Sequence, residues 1–113
     1  MQLDQDIRGD VVVLTLSKAM TTGPDVAPFY ERVKALAKQG IRKVVVDFSQ
    51  APWFGSAMLG VLIASLTTLR GVGGEMRLVG ITERMGSVLS VTGLGKVFLT
   101  VDTVDRAVGS FRR

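Results

Sequence analysis

The chain has 113 residues, of which 47% are hydrophobic and 21% are charged, a composition typical of a globular domain with a sizeable core. It contains no cysteine and no histidine, which excludes disulfides and thiolate metal sites and removes the commonest general base and metal ligand. The net charge of +4 comes from fourteen Lys and Arg residues scattered along the whole chain. Because no nucleic-acid-reading motif accompanies them, we expect no nucleic-acid partner.

Residues 1–6 have neither the basic region nor the apolar region of a secretory signal, so we expect a cytoplasmic location. Residues 48–69 carry no charge, but Pro52 and Gly55 interrupt this segment. The helix that remains after Ser56 is shorter than the roughly 20 apolar residues that a bilayer requires. We therefore expect no membrane insertion, and one domain that covers residues 1–113.

Strand-like and helix-like patterns alternate along the chain. The apolar, β-branched run at residues 10–16 predicts a strand that pairs with a weaker strand at residues 3–8 through a turn at Gly9. Residues 21–25 (TTGPD) have the chemistry of a turn, and Asp25 is the predicted N-cap of a first helix. The core-facing stripe of that helix consists of Val26, Phe29, Val33 and Leu36.

The next two strands are predicted from continuous apolar runs, KVVVDF at residues 43–48 and MRLVGI at residues 76–81. Such runs lack alternation and are typical of strands covered on both faces, so residues 44–46 and 78–79 are expected on inner strands. A second helix lies between the two strands and begins at Ser56. Its predicted apolar stripe consists of Leu59, Leu62, Ile63, Leu66 and Leu69.

Thr82 is predicted to cap a third helix that ends at Gly93. The last strand is expected at residues 96–101, and Thr103 is the predicted cap of a final helix. The order is β-β-α-β-α-β-α-β-α. Right-handed crossovers then give an α/β fold with a mixed, mostly parallel sheet that is packed by about four helices.

Ser56 stands between Gly55 and an apolar helix. Serine is a preferred N-cap, but a hydroxyl in a strand-to-helix loop also lies at the edge of the sheet where ligands bind. A phosphate there would face free N–H groups, so capping and phosphorylation are compatible roles that spacing alone does not separate. No two acids are spaced as a general acid/base pair. We therefore expect that the chain is not an enzyme. We also expect that it has no catalytic residue and binds no metal or cofactor.

Three stretches, VVVDFSQAPWFGSAMLGVL, LRGVGGEMRLVGI and VTGLGKVF, resemble the STAS domain of bacterial anti-sigma factor antagonists. The resemblance covers about residues 11–108 and implies a STAS-type fold. It also implies that Ser56 is the residue phosphorylated by a partner that is both an anti-sigma factor and a serine kinase of the GHKL type. The unphosphorylated antagonist would bind this partner and free the sigma factor, whereas the phosphorylated form would dissociate.

Two acids that are usual in the family are absent: Gly55 stands in place of the acid before the serine, and Thr21 in place of an acid in the first loop. Met58 adds apolar surface where a partner would dock, and we expect Met58, Val61 and Ser65 on the outer side of their helix. The residues expected to contact the partner are Met20, Thr21, Trp53, Phe54, Gly55, Met58 and Val61.

Two other functions remain open. The chain could be a STAS subunit of a lipid-transport ABC complex, in which the same loop and helix would grip an ATPase without phosphorylation. A small enzyme is disfavoured because the chain has so few candidate bases and metal ligands. The sequence leaves the oligomeric state open.

Overall fold

The computed structural model describes residues 3–23 and 25–111, in which strands and helices alternate. The elements are β1 (Leu3–Arg8), β2 (Val11–Leu16), α1 (Lys18–Thr22), α2 (Ala27–Lys38), β3 (Lys43–Asp47), α3 (Ser56–Gly71), β4 (Glu75–Val79), α4 (Glu83–Val91), a 3-10 helix (Leu94–Lys96), β5 (Leu99–Val101) and α5 (Val104–Gly109).

The five strands form one mixed sheet in the order β1-β2-β3-β4-β5. Strands β1 and β2 are antiparallel, and the turn between them contains Gly9, whose φ of 65° glycine adopts without strain. The pairs β2–β3, β3–β4 and β4–β5 are all parallel. The prediction of an α/β fold with an initial hairpin and a mostly parallel sheet is confirmed. Residues 44–46 and 78–79 lie on inner strands, as expected.

The two faces of the sheet are covered unequally. Helices α2, α3 and α4 bury their apolar residues against one face, in a large core that includes Val44 and Val46 of β3. Helix α5 covers the other face, where Ala107 and Val108 share a smaller core with Val45. Successive side chains of a strand point to opposite faces. Strand β3 is therefore buried on both sides, which explains its continuous apolar sequence.

Two of the predicted N-caps are confirmed. The Thr82 hydroxyl accepts a hydrogen bond from the Met85 N–H at 3.2 Å, and the Thr103 hydroxyl accepts one from the Arg106 N–H at 3.1 Å. Gly93 follows α4 with a φ of 80°, as expected for a left-handed residue that ends a helix.

The connection between β2 and α2 differs from the predicted turn. Lys18–Thr22 form helix α1, which Ser17 caps by accepting a hydrogen bond from the Met20 N–H at 3.3 Å. The helix buries the side chains of Met20 and Thr21, and this tertiary burial outweighs the local turn preference. Pro24 of the predicted turn lies outside the described residues.

The prediction that Asp25 caps α2 is wrong. Val26 occupies the N-cap position of α2 and makes no side-chain capping bond. Val26 is buried in the large core, so packing sets the start of this helix.

The last strand is shorter than predicted, because Leu94–Lys96 form a 3-10 helix. The N–H groups of Val97 and Phe98 both donate to the Leu94 carbonyl at 3.0 Å. Pairing with β4 therefore begins only at Leu99.

Helix α3 has 16 residues and packs mainly against α2 and β4. Within residues 3–23 and 25–111, no helix has both the length and the apolar character needed to cross a membrane.

The central position of β3 predicts the slowest backbone amide exchange for residues 44–46. These residues pair with β2 on one side and with β4 on the other, so their hydrogen bonds should open only with global unfolding. The measurement is native-state hydrogen exchange by NMR, with the edge strand β1 as the internal comparison. Exchange at residues 44–46 as fast as at residues 4–7 would contradict this topology.

Candidate functional site

The candidate site lies at the carboxyl edge of the sheet, where the parallel strands β2, β3 and β4 end. The chain leaves β3 at Asp47, and residues 48–55 lead into α3. Helix α1 follows β2 at the same edge, and α4 follows β4. In open α/β sheets, ligands and partners bind at this edge.

Ser56 is the first residue of α3, and Gly55 is the N-cap. The expectation that Ser56 caps the helix is therefore wrong by one position. Ser56 is exposed, and its hydroxyl makes no hydrogen bond with the described residues. The first intrahelical bond in this turn runs from the Leu59 N–H to the Gly55 carbonyl at 3.2 Å. The N–H groups of Ser56, Ala57 and Met58 thus have no intrahelical acceptor, and they lie in the first turn of the helix.

The start of the loop is held against β4. The Phe48 N–H donates to the Val79 carbonyl at 2.8 Å, and the Asp47 carboxylate accepts a hydrogen bond from the Ser49 N–H at 2.9 Å. At Gly80 any Cβ would lie 2.5 Å from the Ser49 nitrogen, so only glycine permits this close approach. The loop therefore leaves the sheet in a fixed direction.

Phe54 anchors the end of the loop in the core. Its ring is buried and packs edge-on against Phe48 with a centroid distance of 5.8 Å. Trp53 stacks on the other side at 5.8 Å and stays half-buried. The expectation that a partner contacts Phe54 is corrected, because only Trp53 of this pair has accessible surface.

Arg84 is a residue of the site that the sequence analysis missed. Its guanidinium carbon lies 3.9 Å from the centroid of the Trp53 ring. Such a cation–π contact stabilises an exposed pair by about 0.5–1 kcal/mol. The sequence offered only the general expectation that α3 and α4 both begin at the carboxyl edge, and no local pattern selects Arg84 as the contact of Trp53.

Helix α1 supports the start of α3 through its backbone. The Gly55 N–H donates to the Thr21 carbonyl at 2.8 Å. The Met20 and Thr21 side chains are buried, and the Thr21 hydroxyl donates to the Lys18 carbonyl at 3.2 Å. The expectation that Met20 and Thr21 contact a partner is corrected, because both side chains are buried. Their helix instead supports the loop that leads into α3.

The outer side of α3 is also different from the prediction. Met58 and Ser65 are fully buried, and Val61 is half-buried. Ile63, which was predicted on the core stripe, is 41% exposed. The helix is therefore rotated about its axis relative to the expectation, because its nearly uniform apolar sequence does not specify which side faces the core. We call the accessible surface at this edge the docking face, formed by Trp53, Gly55, Ser56, Ala57, Gly60 and Ile63.

Known proteins share the sequence profile and the fold of this chain. The sequence profile of the STAS domain matches residues 2–107. A candidate anti-sigma factor antagonist of Thermotoga neapolitana is 33% identical over 70 residues, which is 62% of this chain and 62% of that protein. The crystal structure of a candidate anti-sigma factor antagonist from Thermotoga maritima has a TM-score of 0.89 and 28% identity, covering 98% of this chain and 95% of that chain.

The anti-sigma factor antagonist SpoIIAA shares the fold at lower identity. Its unphosphorylated form has a TM-score of 0.82 and 17% identity, covering 97% of this chain and 96% of that chain. The phosphorylated form of the Bacillus protein has a TM-score of 0.72 and 18% identity, covering 97% and 99%.

The fold and the loop define an α/β domain that presents a serine at the start of a helix. The chain belongs to the STAS domain family, because that profile covers most of its length. This confirms the resemblance found in the sequence. The matched stretches span 62% and 66% of the length of the two curated Thermotoga relatives.

We expect Gly55→Asp to stabilise the protein. Gly55 is the N-cap with extended dihedrals (φ −91°, ψ 177°), and a Cβ there would lie 3.9 Å from its nearest neighbours. Aspartate can cap the free N–H groups and loses less backbone entropy than glycine, so we expect a gain of about 0.5–1 kcal/mol. The measurement is urea unfolding, with Gly55→Ala as the control that fills the same space without a cap. Equal stabilities for the aspartate and alanine variants would contradict this description of the helix start.

We also expect Ser65→Ala to stabilise the protein. The Ser65 hydroxyl is buried and has no hydrogen-bond partner among the described residues. Removing an unsatisfied buried hydroxyl should raise the free energy of unfolding by about 1 kcal/mol or more. The control is Ser87→Ala in α4, an exposed helical serine whose hydroxyl donates to the Glu83 carbonyl at 3.1 Å, so this variant reports the gain in helix propensity for a serine whose hydroxyl is satisfied. A gain at Ser65 no larger than at Ser87 would show that the Ser65 hydroxyl is satisfied in solution.

Proposed function

We propose that this chain is an anti-sigma factor antagonist, a regulatory binding protein of the cytoplasm and not an enzyme. Its partner is an anti-sigma factor of the GHKL serine kinase type, and phosphorylation of Ser56 releases that partner. The names of the Thermotoga relatives and the fold shared with SpoIIAA support this role.

The exposed, unbonded hydroxyl of Ser56 carries the proposal. A kinase can reach this oxygen without breaking an internal hydrogen bond. The resulting phosphate would meet the free N–H groups of the first turn of α3 and the positive end of the helix dipole. Phosphorylation therefore leaves the fold intact, and its effect falls on the partner.

The docking face is suited to an uncharged contact. The side chains of Ala57 and Gly60 are small, Ile63 is exposed, and α3 has no charged residue before Arg70. A phosphate adds a charge of about −1.5 to −2 at neutral pH. Burying this charge against an apolar partner surface costs several kcal/mol without a matching cation. Desolvation of the phosphate is then the physical basis of release.

The missing acids simplify this switch. Gly55 and Thr21 place no carboxylate beside Ser56, and the Thr21 side chain is buried in any case. In this chain the phosphate thus brings negative charge to a neutral surface. The change in charge between the two states comes from the phosphate alone.

The binding test uses Ser56→Ala and Ser56→Asp. Because Gly55 holds the cap position, Ser56→Ala should change the free energy of unfolding by less than about 0.5 kcal/mol. The Ser56→Ala protein should bind the partner as tightly as the unmodified protein does. The Ser56→Asp protein should bind it at least about tenfold more weakly. The measurements are thermal melts and calorimetric titration against the partner recovered from native cytosol.

The control is Ser87→Asp, which adds the same charge to an exposed position of α4 outside the docking face. It should bind like the unmodified protein. Equal affinities of the serine, alanine and aspartate proteins for the partner would contradict the switch. Recovery of an ABC ATPase in place of a kinase would instead identify a transporter subunit.

A further inference from the structure

A cation lies at the border of the docking face, whose own residues carry no ionic group. Arg84 belongs to the first turn of α4 and is exposed. Its guanidinium carbon lies 3.9 Å from the centroid of the Trp53 ring. Trp53 is itself a member of the docking face and is half-buried. The contact therefore sets a positive charge directly against a surface of uncharged residues.

The Trp53 ring is a fixed support for this cation. It stacks on the Phe54 ring at a centroid distance of 5.8 Å, with an angle of 29° between the planes. Phe54 in turn packs edge-on against Phe48, and both phenylalanine rings are buried. Aromatic side chains have few rotatable bonds, so a ring anchored in this way keeps one position. Arg84 is thus held at a defined place on the carboxyl edge.

The hydrogen-bond donors of Arg84 are unused within the described part of the chain. Its side chain forms no hydrogen bond and no ion pair with any described residue, and the adjacent Glu83 does not pair with it. By contrast, Arg8, Arg70 and Arg106 each contact a carboxylate. A guanidinium has five N–H donors that lie in its plane, so stacking on a ring leaves them free to bind an acceptor.

We propose that Arg84 binds a carboxylate of the partner protein, supplied by an aspartate or glutamate side chain at the rim of its contact surface. A guanidinium donates two parallel hydrogen bonds to the two oxygens of one carboxylate. Because stacking on Trp53 already restricts the arginine side chain, binding costs little further conformational entropy. Tryptophan and arginine are also the residue types that most often carry the binding energy of an interface.

This inference rests on the proposed function, because it takes the partner to cover the docking face. It adds the chemistry that the partner must carry, which is an apolar surface opposite Ala57 and Ile63 and an acidic side chain opposite Arg84. The net charge of +4 on the whole chain also favours an acidic partner. An ion pair on one side of the face fixes how the partner is oriented on it.

The test is calorimetric titration of the full chain against the kinase recovered from native cytosol, at salt concentrations of about 0.1 M and about 1 M. Arg84→Gln should weaken binding at least about tenfold at the lower concentration, because it leaves the partner's carboxylate without its cation. In the higher salt the two proteins should differ by less than about threefold, since the screening length falls from about 10 Å to about 3 Å. Arg84→Lys keeps the charge but not the paired donors, so its affinity should lie between those of the other two proteins.

Arg42→Gln is the matched control. Arg42 is also exposed and forms no ion pair with the described residues, but it precedes β3 at the opposite edge of the sheet. Removing this charge should change the affinity less than about twofold at either salt concentration, since screening weakens distant charges. Circular dichroism checks that all variants are folded.

Three results would overturn the inference: an affinity of Arg84→Gln within about twofold of the unmodified protein, a loss of equal size at both salt concentrations, or an equal loss in Arg42→Gln. The second result would mean that Arg84 acts only by packing on Trp53.

The Ser56 and Arg84 variants together distinguish this inference from the proposed function. Weakened binding in Ser56→Asp with none in Arg84→Gln overturns the carboxylate contact alone. A salt-sensitive loss in Arg84→Gln with no loss in Ser56→Asp overturns the phosphorylation switch alone. Recovery of an ABC ATPase overturns the proposed function, and the same loss in Arg84→Gln against that ATPase still supports the carboxylate contact.

Discussion

The burial of β3 on both of its faces is the constraint on which the rest of the structure depends. Val44 and Val46 enter the large core, and Val45 enters the smaller core beneath α5. A polar or charged side chain at any of these positions would be buried without a partner, at a cost of several kcal/mol. Because β2 and β4 pair with the same strand, the directions of all the parallel strands follow from it. The direction of β3 thus determines at which end of the sheet the parallel strands start and at which end they finish.

The presentation of Ser56 follows from this rigid frame. The chain leaves β3 with its first loop residues bonded to β4, and Phe54 returns the loop to the core before α3 begins. The Thr21 carbonyl then holds the Gly55 N–H. Because the loop is fixed at both ends, the exposed Ser56 hydroxyl is held at a defined position at the carboxyl edge.

The two edges of the sheet differ in charge, although the basic residues are spread evenly along the chain. The carboxyl edge carries the uncharged residues of the docking face, with Arg84 at its border. At the opposite edge, where β3, β4 and β5 begin, four separate elements contribute basic residues near the Glu75 carboxylate, namely Lys43, Arg70, Arg77 and Lys96.

The sequence by itself determined the strands, the main helices, their order and the serine in the loop, because runs of valine and capping residues such as Thr82 report local preferences directly. It also carried the family resemblance. Only the tertiary structure decided that Gly55 and not Ser56 is the cap, that Met58 faces the core, and that residues 18–22 form a helix. It alone placed Arg84 on Trp53. The physical reason is that the rotation of a uniformly apolar helix, and contacts between residues far apart in the chain, depend on the packing of other elements and leave no local pattern.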